Sequence, residues 1–138
     1  MSSTGEVYYD LPGGGQRTYE TMEEAVVREV EEETGYRVRI VRFSALTEEI
    51  HDNEALRSAY PEYCHRLHHI FLTQLAEEEA GTAVEMDFQQ QESIWVTPKE
   101  ADRLPFFPVR LNGQISRLIS SDVPVYLGSE HVTIPFCF

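Results

Sequence analysis

Glu29, Glu32 and Glu33 lie within the stretch GGGQRTYETMEEAVVREVEEETGY, residues 13–36. On a helix of about 100° per residue, Glu33 falls at about +40° and Glu32 at about −60° from Glu29, so the three carboxylates share one face. Glutamates at these spacings repel one another by about 0.2–0.5 kcal/mol per pair. A divalent cation turns that repulsion into ligation, because hard cations take oxygen donors. Carboxylate-held metal ions suit phosphate chemistry, where charge must be neutralised and a water activated. The alternative is a solvated acidic helix, common in a protein this acidic.

The flanking residues fix where that helix runs. Thr21 stands at the N-cap position with Glu24 three residues on, a capping-box spacing that starts the helix near Met22. Gly35 suits the left-handed residue that ends it. Val26, Val30 and Val27 cover the sector from about +60° to +160° and form the predicted core-facing stripe. Glu31 points nearly opposite Glu29, toward solvent.

Gly14, Glu20, Arg28, Glu29, Val30, Glu32, Glu33, Gly35 and Tyr36 fit the spacing G-x5-E-x7-R-E-U-x-E-E-x-G-U, where U is bulky and apolar. This is the Nudix box. The stretch resembles a Nudix (MutT-like) hydrolase, and Leu11-Pro12-Gly13-Gly14-Gly15 is the lead-in usual for that family. The resemblance is dense over residues 14–36 and loose over 36–128, where it rests on element order and on Trp95-Val96 before a short helix.

The resemblance implies one α/β domain over residues 1–138, an α/β/α sandwich with a mixed sheet. It implies a metal-dependent pyrophosphohydrolase acting on a nucleoside diphosphate linked to another moiety, with Mg²⁺ or Mn²⁺ as cofactor. Glu29, Glu32 and Glu33, with the Gly13 carbonyl, are the implied metal ligands. Arg28 is implied to pair with a box glutamate and fix its rotamer. Glu20 supports the loop from behind the ligands, and Gly14 and Gly35 support its backbone. Nudix enzymes often draw a further carboxylate from outside the box. Glu92 is the first choice here, with an ordinary solvated glutamate as its alternative, ahead of Asp87 and Glu85, with Asp52 and Glu54 weaker. Relative to the family, the sequence begins one or two N-terminal strands short. Either the start is truncated or the sheet is completed another way, and pairing of the exposed edge in a homodimer is the expectation.

Composition bounds the partners. The chain has 138 residues, 41% hydrophobic, enough for a domain with a real core. With 24 Asp and Glu against 11 Lys and Arg, its net charge is −13. Such a polyanion does not hold a nucleic-acid polymer by charge, since that binding rests on basic residues neutralising phosphates. A small nucleotide brought in by metal ions remains compatible. Cys64 and Cys137 belong to no C-x-x-C pair, so no zinc site or disulfide framework is indicated. No apolar run is of membrane-spanning length and no signal peptide is evident, so a cytoplasmic protein is expected.

Along the rest of the chain, Val7-Tyr8-Tyr9 reads as a strand, and Tyr36–Ile40 alternates as a half-buried strand that continues as strand or bend to Glu49. Residues 50–63 read as a loop or short helical turn, His65–Leu75 as a strand and residues 76–81 as an acidic turn. Ile94-Trp95-Val96 reads as a short strand, Thr97-Pro98 as the start of a helix, and Leu111–Ile119 as helical. Tyr126-Leu127-Gly128 and the tail 132–138 are expected to dock on the body. On the strand at 65–75, His65 and His69 share one face and His68 the other, which is no zinc spacing; a structural or substrate-lining role is expected. Arg37, Arg39 and Arg42 either balance nearby glutamates or reach a substrate phosphate. Tyr8, Tyr9, Phe71 and Trp95 pack in the core or stack a base. The competing function is a catalytically weak or inactive Nudix-fold module that binds nucleotides.

Overall fold

The computed structural model describes residues 8–76 and 93–133. The fold is α/β, a mixed sheet with flanking helices. In chain order the elements are α1 (Met22–Thr34), β1 (Val38–His51), α2 (Glu54–Ala59), a 3-10 turn at Pro61–Tyr63, β2 (His65–Leu75), α3 (Pro98–Ala101), a second 3-10 turn at Val109–Leu111, α4 (Ile115–Ser120) and β3 (Val125–Val132). Among the described residues the sheet has the strand order β2-β1-β3, with β1 and β3 parallel. The chain forms two compact units, and both β1 and β2 contribute residues to each.

Of the described residues, the first unit comprises 8–10, 44–70 and 96–133. Its core is Ala45, Ala101, Phe106, Leu111 and Leu118, with Tyr9, Ile70, Val96 and Leu104 packed against it. From Ala45 onward β1 buries alternate residues, as a pleated strand of period two must: Ala45, Thr47, Glu49 and His51 are all buried. Buried polar groups need partners. Thr47 Oγ1 donates to the Gly128 carbonyl at 2.8 Å. Glu49 Oε1 lies 3.3 Å from His51 Nε2 and 3.5 Å from His68 Nε2. Thr97 caps α3, accepting from the Glu100 amide at 3.2 Å, with Pro98 at the first helical position, as the sequence predicts.

Of the described residues, the second unit comprises 11–43, 71–76 and 93–95. It holds α1, the start of β1 and the end of β2. Thr21 Oγ1 accepts from the Glu24 amide at 3.1 Å. Gly35 has φ 78°, a left-handed conformation that costs glycine little, and its amide donates to the Glu31 carbonyl at 2.8 Å. Both predicted ends of the helix are therefore where the residue types put them. The burial is thinner than predicted. Ala25 is the buried residue of α1, whereas Val26, Val27 and Val30 are only half-buried. Phe43 and Phe71 meet edge to face with ring centroids 5.4 Å apart.

Four local readings are corrected. Tyr9 forms a single bridge with Phe106 rather than a strand, its amide donating to the Pro105 carbonyl at 2.9 Å; Val7 lies outside the described residues. Ile94-Trp95-Val96 is irregular, and Trp95 stands 70% exposed, held by its indole N–H on the Tyr36 hydroxyl at 3.3 Å. Residues 111–119 split into the end of the 3-10 turn and α4, because the left-handed Gly113, at φ 73°, interrupts them. Residues 125–132, expected only to dock, do so as a strand hydrogen-bonded to β1 over Ala45–His51, and residues 134–138 of the expected tail lie outside the described residues. The first and last of these depend on partners distant in sequence. The predicted strand at 65–75 is found with those bounds, and β1 runs on to His51.

Candidate active site around Arg28

Arg28 is the hub of the second unit. Its guanidinium makes a two-pronged pair with Glu20, Nε to Oε2 at 2.7 Å and Nη2 to Oε1 at 2.9 Å. Nη1 donates to Glu29 Oε1 at 2.8 Å and to Glu32 Oε2 at 3.2 Å. Nη2 also donates to the Gly15 carbonyl at 3.0 Å. One planar cation thus ties three glutamates and the glycine loop together, which only a guanidinium fork can do. The side chains of Arg28, Glu20 and Glu29 are 17%, 13% and 16% exposed, so these are partly desolvated contacts, while Glu32 is more open.

Local backbone geometry brings Glu20 to that position. Tyr19 takes φ 68°, unusual for a residue with a side chain. This closes a turn in which the Glu20 amide donates to the Arg17 carbonyl at 3.1 Å. Glu20 Oε1 in return accepts from the Arg17 amide at 3.0 Å. The Arg28 hydrogen bond, then the Arg17 amide, hold the Glu20 carboxyl far below its ordinary range, at about 2. Glu20 in turn holds the Arg28 guanidinium, already a permanent cation, still more firmly protonated.

The loop meets the helix at two further points. The Gly13 amide donates to Glu33 Oε2 at 2.9 Å. A Cβ placed on Gly14 would stand 2.6 Å from Glu29 Cδ and Oε1. Glycine at 14 is therefore a matter of space: the Glu29 carboxylate occupies the volume of the absent side chain. Arg17 Nη2 lies 3.6 Å from Glu32 Oε1. Reasoning from the sequence missed Arg17, whose position between the glycines and Glu20 was the available signal.

The structure brings together Gly13, Gly14, Glu20, Arg28, Glu29, Glu32 and Glu33, and Gly35 closes the helix that carries them. The Gly13 contact is made by its amide, while its carbonyl has no role in the contacts described. Glu92, Asp87 and Glu85 lie outside the described residues. Asp52 is elsewhere, paired with Arg57 at 2.8 Å, and Glu54 sits in the first turn of α2. Among the strand residues, His65 is exposed and 2.6 Å from Glu48. Arg37 lies 3.5 Å from Glu31, as charge balance requires, while Arg39 lines an open recess along α1 of about 990 Å³ together with Glu20, Arg28, Glu31 and Glu32.

The donors suit a hard divalent cation: carboxylate oxygens from one helix face beside a loop without side chains. Among the described residues, no three His, Cys, Asp or Glu side chains converge closely enough to hold one. Arg28 accounts for this in part, since its Nη1 holds one oxygen each of Glu29 and Glu32. The donor set fits the ion in chemistry, since Arg28 engages one oxygen of Glu29 and one of Glu32 and leaves the other oxygen of each for a ligand. No helix of the described residues is long and apolar enough to cross a membrane. No match was found among curated proteins. A family model described as NUDIX domain matches residues 2–115.

Proposed function

The chain belongs to the Nudix family, and from that premise we propose that it is a Mg²⁺- or Mn²⁺-dependent hydrolase that cleaves the diphosphate of a nucleoside diphosphate joined to another moiety. The family as a whole consists of pyrophosphohydrolases of small nucleotide-derived substrates, generally served by divalent metals. The observation that carries the finer reading is the Arg28 network, which orients Glu29 and Glu32 and braces them on Glu20. A helix that only needed to be stable has no use for that cost in charge.

In this reading Glu29, Glu32 and Glu33, with the Gly13 carbonyl, hold the metal. The bound ion supplies charge neutralisation on the diphosphate and a more acidic water. Arg28 limits the rotamers of Glu29 and Glu32, so that little ordering remains to be done when substrate arrives. Glu20 keeps Arg28 in place. Gly14 leaves room for the Glu29 carboxylate beside the loop. The Gly13 amide restrains Glu33. Glu92 is the proposed additional carboxylate for the attacking water.

The test is hydrolysis of a nucleotide panel at mildly alkaline pH with Mg²⁺ and then Mn²⁺, run beside Glu32→Gln. Cleavage of one substrate that is lost in the variant supports the enzyme, and unchanged turnover in the variant overturns it. A second reading is a nucleotide-binding module with little catalysis, in which Arg28 serves to hold the glycine loop on the helix through the Gly15 carbonyl. Phosphate release that is identical with and without EDTA, alongside intact nucleotide binding, selects that reading.

A further inference from the structure

A recess of about 330 Å³ opens in the first unit beside the 3-10 turn Val109–Leu111, α4 and β3. Arg110, Asn112, Gln114, Arg117, Tyr126 and Glu130 line it. Its volume is at the small end of ligand sites. Arg117, Tyr126 and Glu130 lie beyond the residues matched by the family.

Its charge is unbalanced in one place. Arg110 is neutralised, with Nε 2.9 Å from Glu130 Oε2 and Nη2 donating to the Ser129 carbonyl at 3.0 Å. Arg117 donates from Nη1 to the neutral Gln114 Oε1 at 3.0 Å, and no carboxylate among the described residues pairs with it. The chain has 24 acidic residues against 11 Lys and Arg, so a counter-ion is the ordinary expectation. An arginine without one, lining a concavity, is placed to take an anion from solution. Its planar fork matches the oxygens of a phosphate.

The shape of the recess is built by a bulge. Leu46 pairs with Tyr126 and Thr47 with Gly128, so Leu127 is the extra residue of β3. Gly128 adopts φ 90°, and Thr47 Oγ1 fixes its carbonyl. Neighbouring residues of a regular strand point to opposite faces. Here Tyr126 and Leu127 both line the recess, which is the re-aiming that a bulge produces. Tyr126 is 64% exposed yet its ring is oriented, because its hydroxyl lies 3.0 Å from Ser129 Oγ, which donates to Glu48 Oε1 at 2.7 Å. An exposed, oriented ring lining the same recess as a guanidinium is a stacking surface that accompanies an anion holder.

We propose that this recess binds a phosphomonoester that carries a flat ring, a nucleoside monophosphate in class, with Arg117 taking the phosphate and Tyr126 stacking the ring. Its lining shares no residue with the carboxylate helix, and it does not depend on pyrophosphate cleavage.

The experiment is a titration of the full chain in EDTA with AMP, adenosine and inorganic phosphate, read from the backbone amide resonances of Gly113 and Gly128. AMP shifts both signals saturably, phosphate more weakly and adenosine least. Arg117→Gln weakens AMP about tenfold or more, the loss expected for one charge-assisted hydrogen-bonding group. Tyr126→Ala weakens AMP and leaves phosphate unchanged. Glu130→Gln releases Arg110 and tightens both. Gly113 and Gly128 signals unmoved by AMP, an Arg117→Gln chain that binds AMP as the parent does, or adenosine binding as tightly as AMP would each overturn the proposal. Nucleotide held only by the carboxylate helix gives the first of these results.

Discussion

Around Arg28, order comes from charge and hydrogen bonds; around Leu111, it comes from exclusion of water. The Arg28 region ties four carboxylates and a glycine loop with contacts of 2.7–3.2 Å, yet α1 has Ala25 as its buried residue. The Leu111 region buries Ala45, Ala101, Phe106, Leu111 and Leu118. Burial is non-directional and sets stability, whereas hydrogen bonds between charged groups fix angles and distances. Substitutions in the first region therefore fall on activity, and substitutions in the second on folding.

The largest effect tests the apolar side of this division. Leu111 is fully buried. Leu111→Ala removes its contacts and leaves a cavity, at a cost of about 2–5 kcal/mol. Val30→Ala on the half-buried side of α1 removes two methyl groups and costs about 1 kcal/mol. Urea unfolding of both variants measures the difference, and turnover per folded molecule stays unchanged in Leu111→Ala. Equal losses of stability would erase the contrast between the two regions.

A smaller effect sharpens the charged side. Gly14→Ala sets a methyl group 2.6 Å from the Glu29 carboxylate. Glu29 is flexible enough to swing aside, so the fold survives, but its bond to Arg28 does not. Turnover falls about 10–100-fold, the usual cost of disturbing a partner that orients a ligand, while the midpoint of unfolding hardly moves. Gly15 has nothing within 4 Å of an added Cβ, so Gly15→Ala keeps full turnover and controls for loop composition. Steady-state kinetics of the two alanine variants decide the point.

The same division explains what the sequence disclosed. Thr21, Glu24 and Gly35 act within a turn of where they stand, so both ends of α1 were readable from residue type. The spacing of Glu20, Arg28, Glu29 and Glu32 is likewise local, and so was their assembly. β3 was not readable, because its partner lies about eighty residues earlier in β1 and its bulge is set by Thr47. Trp95 was misread as part of a strand because its apolar neighbours imitate one; its contact is the Tyr36 hydroxyl, 59 residues away. Arg117 carried no signal at all, since the absence of an acidic partner is a property of the folded chain.

The smallest effect is a pH dependence confined to Glu20. Its carboxyl titrates at about 2 in the folded chain, against an ordinary value of 4.5. A depressed carboxylate contributes stability that is fully present above the unfolded value and is lost as pH falls through the folded one. The Glu20 contribution is therefore complete above pH 4.5, shrinks across pH 4.5 to 2, and is gone below. Glu20→Gln removes the titration while keeping an oxygen for Arg28 to bond. The difference in melting temperature between the parent chain and Glu20→Gln is expected to be flat from pH 5 to 8 and to narrow steadily from 4.5 downward. Narrowing on the alkaline side instead would place the titrating group elsewhere. It would also remove the reason for treating Glu20 as the brace that keeps Arg28 fixed while Arg28 orients Glu29 and Glu32.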